Sequence, residues 1–239
     1  HGVGVSIVNA LSQSLEVIVV RSRDTYQYEM SFSNGSIKKQ LSKTKKNSKK
    51  KSGTIIKFKA NEKYFDSNTL DIKELHNLIK AKSILQPGLK LQVIDELYAT
   101  GTTEYLHNGS LGDYLINSTN GLSFIPAKPC SGNFESSDLT IDWSCLWLTD
   151  STDTMQSSYV NLIPTPSGGT HVNALKNAVV ESLRDFCARK KLLPKNIKLT
   201  PDDVWKNTSF IISIKMMNPQ FAGQTKTKLQ SAHISSILT

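Results

Sequence analysis

A loop near the end of the chain carries two side chains that together suit a phosphate group. Pro219 and Gly223 interrupt the segment NPQFAGQTK, residues 218–226, which joins a strand-like run to a helix-like run. Gln224 and Lys226 lie two positions apart, so both side chains would point to one side of an extended segment. An ammonium and an amide donor that project together can bind the terminal phosphate of a nucleotide. On its own, such a pair is more often part of an ordinary solvated loop.

The start of the chain offers a second possible phosphate site. The opening sequence HGVGVSIVNALS places apolar residues at helical spacing directly after Gly2 and Gly4. The glycines would therefore lie at the N-terminus of a helix, where free N–H groups and the positive end of the helix dipole favour an anion. Glycine also allows a ligand to approach the backbone closely. The simpler alternative is a tight turn that leads into a helix.

Four motifs in a fixed order connect these two ends. HGVGVSIVNALS, GTIIKF, YVNLIPTPSGGTHVNAL and NPQFAGQTK resemble the ATPase subunit of bacterial type IIA topoisomerases, and the resemblance covers nearly all 239 residues. YVNLIPT and PQFAGQTK are more similar to the B-subunit of topoisomerase IV than to the B-subunit of gyrase. The resemblance implies part of an ATP-hydrolysing subunit that couples ATP turnover to DNA strand passage in decatenation and relaxation. The gyrase B-subunit stays the alternative, because it would share every site residue named below.

The resemblance also implies a fold. It predicts an α+β chain in which residues 1–118 are the C-terminal part of a GHKL-type ATPase domain, from the ATP lid to its last strands. Residues 119–239 would then form a transducer domain, a two-layer α/β unit with a left-handed βαβ crossover, which carries the loop with Gln224 and Lys226.

The same resemblance assigns roles to individual residues. The backbone N–H groups of the first five residues would form the ATP lid, and Thr54 would help to bind adenine through its hydroxyl and ordered water. Gln224 and Lys226 would reach the γ-phosphate and act in catalysis. The implied ATP-binding residues are His1, Gly2, Val3, Gly4, Val5, Thr54, Gln224 and Lys226. On its pattern alone, Thr54 is an ordinary strand residue.

Three further positions carry specific predictions. Lys176 aligns with a basic residue that lines the central hole of the dimer in gyrase relatives, which predicts a contact with transported DNA. The alternative is a solvent-facing lysine on a helix. His171 is interpreted as a residue at the start of a helix, since no carboxylate in the pattern would orient it as a catalyst. Asn218 stands where the topoisomerase IV pattern usually has aspartate, which would alter loop packing but not the phosphate contacts.

Several parts of the family's ATP site would precede His1. They are the general-base glutamate, the magnesium-binding asparagine, the adenine-binding aspartate and the arm that swaps between subunits. We therefore expect a fragment that uses ATP and Mg²⁺ only within a longer protein, has no metal ligand of its own, and neither hydrolyses ATP nor dimerises well alone. The expected partners are DNA, the DNA-cleaving A-subunit of topoisomerase IV and a second copy of the full-length chain.

The positive charge is concentrated in one segment. The chain has 29 basic and 20 acidic residues, a net charge of +9. Removing the eight lysines of one acid-free run leaves 21 basic residues, which nearly balance the acids. The run comprises Lys38, Lys39, Lys43, Lys45, Lys46, Lys49, Lys50 and Lys51. It is interpreted as a solvated, mobile loop. The alternative is a segment that contacts a phosphate backbone. That alternative would imply a different function, a non-enzymatic nucleic-acid-binding module.

Cysteines and hydropathy narrow the class further. Cys130, Cys145 and Cys187 are odd in number and form no C-x-x-C pair, so neither a disulfide framework nor a zinc site is expected. The sequence has no run of 18 apolar residues and no signal-peptide pattern, which predicts a cytoplasmic protein. Association with the nucleoid would follow from the family.

Periodicity and turn residues predict the elements that position these residues. The predicted strands are Leu15–Arg21, Tyr26–Phe32, Gly53–Phe58, Leu89–Asp95, Asp138–Thr149, Tyr159–Ile163 and Phe210–Met217. The predicted helices follow the opening glycines, Asp71 and the SGGT turn at 167–170, and a short one spans about Leu111–Asn117. The buried stripes of the two longer helices would be Ile72, Leu75, Leu78, Ile79 and Leu85, and Val172, Leu175, Val179, Leu183 and Phe186.

Overall fold

The computed structural model describes residues 3–45, 52–67, 69–96, 101–194 and 196–238. The predicted α+β class is confirmed, and the chain forms two compact units, residues 1–71 and 72–239. The predicted domain boundary after residue 118 falls within the second unit. The two compact units do not show where one domain family ends and the next begins, so this boundary stays a prediction.

An antiparallel sheet with one short helix makes up the first unit. Its elements are α1 (Gly4–Ala10), β1 (Ser12–Val20), β2 (Tyr26–Ser33), β3 (Ser36–Lys45), β4 (Gly53–Ala60) and a 3₁₀ turn at Glu62–Tyr64. The strand order is β3-β2-β1-β4, with Leu15 opposite Phe32 on one side and Phe58 on the other. The predicted hairpin of β1 and β2 and the return to the sheet at Gly53 are confirmed.

The lysine-rich segment was wrongly predicted to be a loop throughout. Asn34 and Gly35 take the left-handed conformation, with φ of 49° and 80°, and turn the chain back so that β3 pairs with β2. Four of the eight lysines (Lys38, Lys39, Lys43 and Lys45) therefore lie on an edge strand. The other four lie outside the described residues. Both faces of β3 are exposed at nearly every residue, so no alternation of apolar and polar residues marks the strand. Lysines at a sheet edge also discourage pairing with other chains.

The apolar stripe predicted for α1 is not buried in this unit. Val5 and Val8 are 59% and 38% exposed, and no residue of α1 is buried. Burial in the first unit is concentrated on β1, where Leu15, Ile18 and Val20 are at most 8% exposed. Helical spacing thus predicted the element correctly but not its packing.

The second unit is a mixed sheet with helices and a small separate hairpin. Its elements are α2 (Ile72–Leu85), β5 (Leu91–Asp95), β6 (Gly101–Tyr105), α3 (Leu111–Ser118), β7 (Phe124–Glu135), β8 (Leu139–Leu148), β9 (Gln156–Val160), β10 (Ile163–Pro164), α4 (Thr170–Lys190), α5 (Pro201–Trp205), β11 (Thr208–Met216), a 3₁₀ turn at Ala232–Ile234 and α6 (Ser235–Leu238). The large sheet has the order β10-β9-β11-β8-β7, and β5 pairs with β6. Strands β9 and β11 are parallel and α4 lies between them in the chain, as a βαβ crossover requires; its hand stays an implication of the resemblance.

Strand β8 is buried on both faces. The predicted alternation is confirmed: Ile141 and Cys145 are fully buried in the cluster that also holds Leu175 of α4. Trp143 and Trp147 pack against this same cluster, so both tryptophans belong to the core. On the opposite face, Leu146 and Leu148 pack against Leu115 of α3. The sheet and α4 form the two predicted layers, and α3 covers part of the other face.

Strands at the edges of the second unit were missed. Residues 100–120 were predicted to be loose apart from one helix, yet β6 pairs with β5 there. Strand β7 was also missed, because it contains Pro126 and Pro129, and proline is confined to sheet edges and bulges. Gly132 of β7 has a packing reason: a Cβ at this position would lie 2.7 Å from the indole nitrogen of Trp143.

The structure of the second unit differs from the prediction at three further points. Strand β9 ends at Val160, three residues before the predicted end, because Asn161 and Leu162 adopt positive φ. Helix α5 was not predicted, although the Thr200 side chain accepts from the N–H of Asp203 and completes a capping box. Leu78 and Phe186 were predicted to be buried, but they are 41% and 47% exposed. Each predicted apolar stripe therefore includes a residue that does not pack into the core.

Candidate phosphate-binding loop and associated residues

The predicted phosphate loop is the tip of a narrow hairpin. After β11, the outgoing arm at residues 220–222 pairs with the return arm at 228–230. The amide of Ala222 donates to the Lys228 carbonyl at 2.9 Å, and the amide of Gln230 donates to the Gln220 carbonyl at 2.7 Å. Phe221 and Leu229 form an antiparallel bridge. The residues between the arms, including Gln224 and Lys226, are therefore presented by a hydrogen-bonded base.

The tip itself is a turn, which corrects the prediction of an extended segment. Lys226 has a φ of 58°, and its amide donates to the Gly223 carbonyl at 3.3 Å. Strand alternation therefore does not align the Gln224 and Lys226 side chains; the turn places both residues at the tip instead. Gln224 is exposed and Lys226 is half-buried.

The lysine of the tip lies beside an aromatic ring. The Lys226 ammonium is 5.9 Å from the centroid of the Phe221 ring, at the outer range of a cation–π contact. Phe221 in turn packs against the main core of the second unit. The base of the loop thus supports the cation through an apolar contact and leaves its donor hydrogens available to an anion.

The return arm is also paired with the turn before α4. The Leu229 amide donates to the Gly168 carbonyl at 3.0 Å, and the Thr170 amide donates to the Leu229 carbonyl at 3.1 Å. The Ser167 amide donates to the Thr227 carbonyl at 3.0 Å. The SGGT turn and the QTK loop, predicted as separate motifs, are therefore one hydrogen-bonded structure.

The described part of the opening motif lies at an exposed helix N-terminus. Val3 is the N-cap of α1 and Gly4 is its first residue. The first N–H groups of a helix have no partner within it, as an anion site requires. A Cβ at Gly4 would meet no atom within 4 Å, so this glycine is not required by packing within the described residues. His1 and Gly2 lie outside the described residues.

Thr54 lies on β4, opposite Val19 of β1, and is exposed. Val3, Gly4, Val5 and Thr54 belong to the first unit, whereas Gln224 and Lys226 belong to the second. Their assembly into one ATP site stays a prediction.

Lys176 is not the simply solvent-facing helix lysine that the alternative prediction describes. Its ammonium lies 5.4 Å from the Trp205 ring centroid and 5.5 Å from that of Phe210, and the residue is half-buried. The Trp205 indole N–H also donates to the Lys176 carbonyl at 3.2 Å. The stem of this lysine is therefore held against aromatic rings, and its contact with DNA stays a prediction.

His171 is a buried residue at the start of α4, the position that the sequence predicts for it. It is fully buried, its Nε2 lies 3.2 Å from the Thr165 hydroxyl oxygen, and its Nδ1 has no partner among the described residues. Burial lowers the pKa of His171 from 6.5 to about 4. A neutral, enclosed imidazole is a structural group here and does not serve as a general acid.

We expect His171 to make the folded state sensitive to acid. Because the unfolded chain binds a proton near pH 6.5 and the folded chain only near pH 4, stability is complete above pH 6.5 and falls as the pH drops through this window. The total loss would be roughly 3 kcal/mol, at about 1.4 kcal/mol per pKa unit. Urea unfolding at pH 7.5 and pH 5, followed by tryptophan fluorescence, measures it. His171→Gln removes the titrating group, so an equal pH dependence in both proteins would contradict the prediction.

The described ranges show neither a metal centre nor a membrane span. Across these residues, no group of three or more His, Cys, Asp and Glu side chains could hold a metal ion. Helices in the same ranges are either too short or too polar to cross a membrane. All three cysteines are free, and burial raises the pKa of Cys145 to about 12, which suits a structural thiol.

Sequence reasoning missed two residues of the loop's support. Gly169 has a φ of 134°, and Leu229 is only 1% exposed. The glycine pair in SGGT could have indicated a close approach of two backbones. Nothing in the local pattern around Leu229 indicates its partner, because the pairing joins segments 60 residues apart.

Comparison with known proteins agrees with the sequence motifs. A family model for DNA gyrase B matches residues 101–239, more than half of the chain. The chain is 42% identical over 231 residues to the B-subunit of DNA topoisomerase 4 from Haemophilus influenzae, covering 97% of this chain and 36% of the relative. It is 39% identical over 239 residues to the corresponding Escherichia coli protein, covering 100% and 38%.

A solved structure agrees with this assignment. The topoisomerase IV ATP-binding domain of Francisella tularensis, solved with a small-molecule inhibitor, superposes with a TM-score of 0.84 at 37% identity and covers 99% of this chain and 63% of that one. The chain thus spans little more than a third of the length of its curated relatives. On the family match and these similarities, the chain belongs to the DNA gyrase B family of type II topoisomerase subunits.

Proposed function

We propose that this chain is part of the ATP-hydrolysing subunit of a bacterial topoisomerase IV, which couples ATP turnover to DNA strand passage. The observation that carries the proposal is the NPQFAGQTK hairpin, in which backbone hydrogen bonds pair the two arms and Gln224 and Lys226 lie at the turn between them. Such a tip provides a fixed ammonium and an amide for the terminal phosphate of a nucleotide. Family membership supplies the nucleotide and the reaction.

The proposed chemistry is electrostatic. The Lys226 ammonium and a donor from Gln224 stabilise negative charge that develops on the γ-phosphate oxygens during hydrolysis. Backbone N–H groups at the start of α1 hold the phosphates, and Thr54 contributes a hydroxyl near adenine. After phosphate release the tip loses its anionic partner, so the preferred position of the loop changes with the nucleotide state.

We place the remaining catalytic groups outside this chain. In a nucleotide site, Mg²⁺ is usually held by one or two protein oxygens together with the phosphates. We assign the Mg²⁺ ligand and the general base to another part of the longer subunit, consistent with relatives of which this chain covers only 36–38%. The isolated chain is then expected to show no ATP turnover; substantial turnover by the purified chain would contradict this assignment.

The proposed partners follow from the family. They are DNA, the DNA-cleaving A-subunit and a second copy of the full-length chain, which would act in the cytoplasm on the chromosome. Lys176 is proposed to contact the transported DNA segment, and its packing on Trp205 supports this by holding the cation at the surface of α4.

The test of the proposed function uses the full-length chain in complex with the DNA-cleaving A-subunit. We expect ATP-dependent decatenation of linked circles and relaxation of supercoils. Introduction of negative supercoils into relaxed circles would instead identify the gyrase alternative. Strand passage that needs no ATP, or no strand passage by a folded complex, would contradict the proposal.

One observation favours a second candidate, a non-enzymatic nucleic-acid-binding module. Four exposed lysines lie together on the edge strand β3. Under this alternative, duplex DNA would bind with a steep salt dependence that nucleotide does not change, and replacing Lys38, Lys39, Lys43 and Lys45 with glutamine would reduce the slope. Nucleotide-dependent strand passage that survives these substitutions excludes it.

A further inference from the structure

We propose that Gly169 is a positioning residue for the QTK tip: it lets the turn before α4 hold the return arm of the loop through Leu229. This inference rests on the proposed function, because it concerns how Gln224 and Lys226 are held for the phosphate.

The backbone of Leu229 is held from both sides. Its amide and carbonyl bond to Gly168 and Thr170, at 3.0 and 3.1 Å, and it also bridges Phe221 of the outgoing arm. Its side chain is 1% exposed in the main core. Leu229 therefore lies in the middle of three paired segments, only three residues from Lys226.

Only glycine fits between these segments. A Cβ at Gly169 would overlap the carbonyl oxygen of Leu229 and lie 2.5 Å from its nitrogen. Gly169 also has a φ of 134°, a conformation that residues with a side chain rarely adopt. Either the backbone of the turn or the return arm must move when a side chain is added here.

A second contact reinforces the same junction. The Thr170 hydroxyl donates to the Ser231 carbonyl at 2.9 Å, and the Ser231 hydroxyl accepts from the Gln220 amide at 3.0 Å. Thr170 is the first residue of α4. The base of the loop and the N-terminus of α4 are thus linked by contiguous hydrogen bonds.

The test compares Gly169→Ala with Gly121→Ala in the full-length chain. Gly121 also has a positive φ, 86°, but a Cβ there meets no atom within 4 Å, so this control carries backbone strain without a clash. We expect Gly169→Ala to lower the kcat for DNA-stimulated ATP turnover about 100-fold, the scale of a misplacement near 1 Å, with a smaller change in KM. The control should retain kcat within about threefold, since a surface substitution usually costs little.

Hydrogen exchange provides the readout that does not depend on activity. We expect exchange at the amides of Ala222, Leu229 and Gln230 to accelerate in Gly169→Ala, while amides of β8 keep their protection. Wild-type exchange at these amides together with wild-type turnover would overturn the proposal. Accelerated exchange with unchanged kcat would also overturn it, since the junction would then not position the tip.

Two further variants separate the possible failures. If Gly169→Ala does not fold, Thr170→Val removes one hydroxyl bond without adding bulk at residue 169, and a fall in kcat of about fivefold is expected; an unchanged kcat counts against the proposal. If Lys226→Ala leaves ATP turnover unchanged, the proposed function of the tip fails. If Lys226→Ala lowers turnover but neither Gly169→Ala nor Thr170→Val does, only this inference is overturned.

Discussion

Lys226→Ala in the full-length chain, in complex with the DNA-cleaving A-subunit, is expected to lower DNA-stimulated ATP turnover by roughly 100- to 1000-fold. This is the usual effect of removing one preorganised group that stabilises transition-state charge in a site with little water. The lysine is held at a turn by the bond between its own amide and the Gly223 carbonyl and by its contact with Phe221. The measurement is steady-state phosphate release with and without DNA.

The matched control is Lys228→Ala, an exposed lysine of the same loop whose backbone, not its side chain, pairs with Ala222. It should turn over ATP within about twofold of wild type, because Lys228 is exposed and truncation of an exposed side chain usually has a small effect. Normal turnover by a folded Lys226→Ala protein would show that this lysine does not reach the phosphate. The motif would then report ancestry without a catalytic role.

Trp205→Ala is expected to have the largest effect on stability, about 3–5 kcal/mol, the usual cost of removing a large buried aromatic side chain. Trp205 is 7% exposed and meets Phe210 edge-to-face, with ring centroids 5.5 Å apart. Its indole N–H also donates to the Lys176 carbonyl at 3.2 Å, which ties α5 to α4. Chemical denaturation followed by circular dichroism measures the free energy of unfolding.

Phe186→Ala provides the control, since Phe186 is 47% exposed although helical spacing predicted it to be buried. Its substitution should cost less than about 1 kcal/mol, because little apolar surface is lost from the core. If the two variants were equally destabilised, the assignment of α5 to the core and of Phe186 to the surface would be wrong. The Trp205 variant also removes one of the two aromatic rings that lie beside the Lys176 ammonium.

The sequence alone predicted the elements with strong periodicity. The alternation in β8, the apolar run of β11 and the helix after SGGT all follow from local patterns, and the structure confirms them. The family was also predictable, because its motifs keep their order and identity across the chain. Local signals failed where burial is absent: β3 has nearly every residue exposed, and no residue of α1 is buried among the described residues.

Contacts between distant segments were decided only by the tertiary structure. Gln224 and Lys226 lie two apart in the sequence, and an extended segment would align their side chains. In the structure the segment is a turn instead, in which Lys226 has a positive φ. SGGT and QTK are independent motifs in the sequence, because the backbone pairing that joins them through Leu229 spans 60 residues and leaves no local pattern. Composition and spacing thus determined which groups the protein has for binding a phosphate. The backbone that holds these groups in place was decided by the tertiary structure, because it depends on the close approach of residue 169 to the Leu229 backbone. Only glycine fits at residue 169, and this steric requirement arises only when the two segments meet in the folded chain.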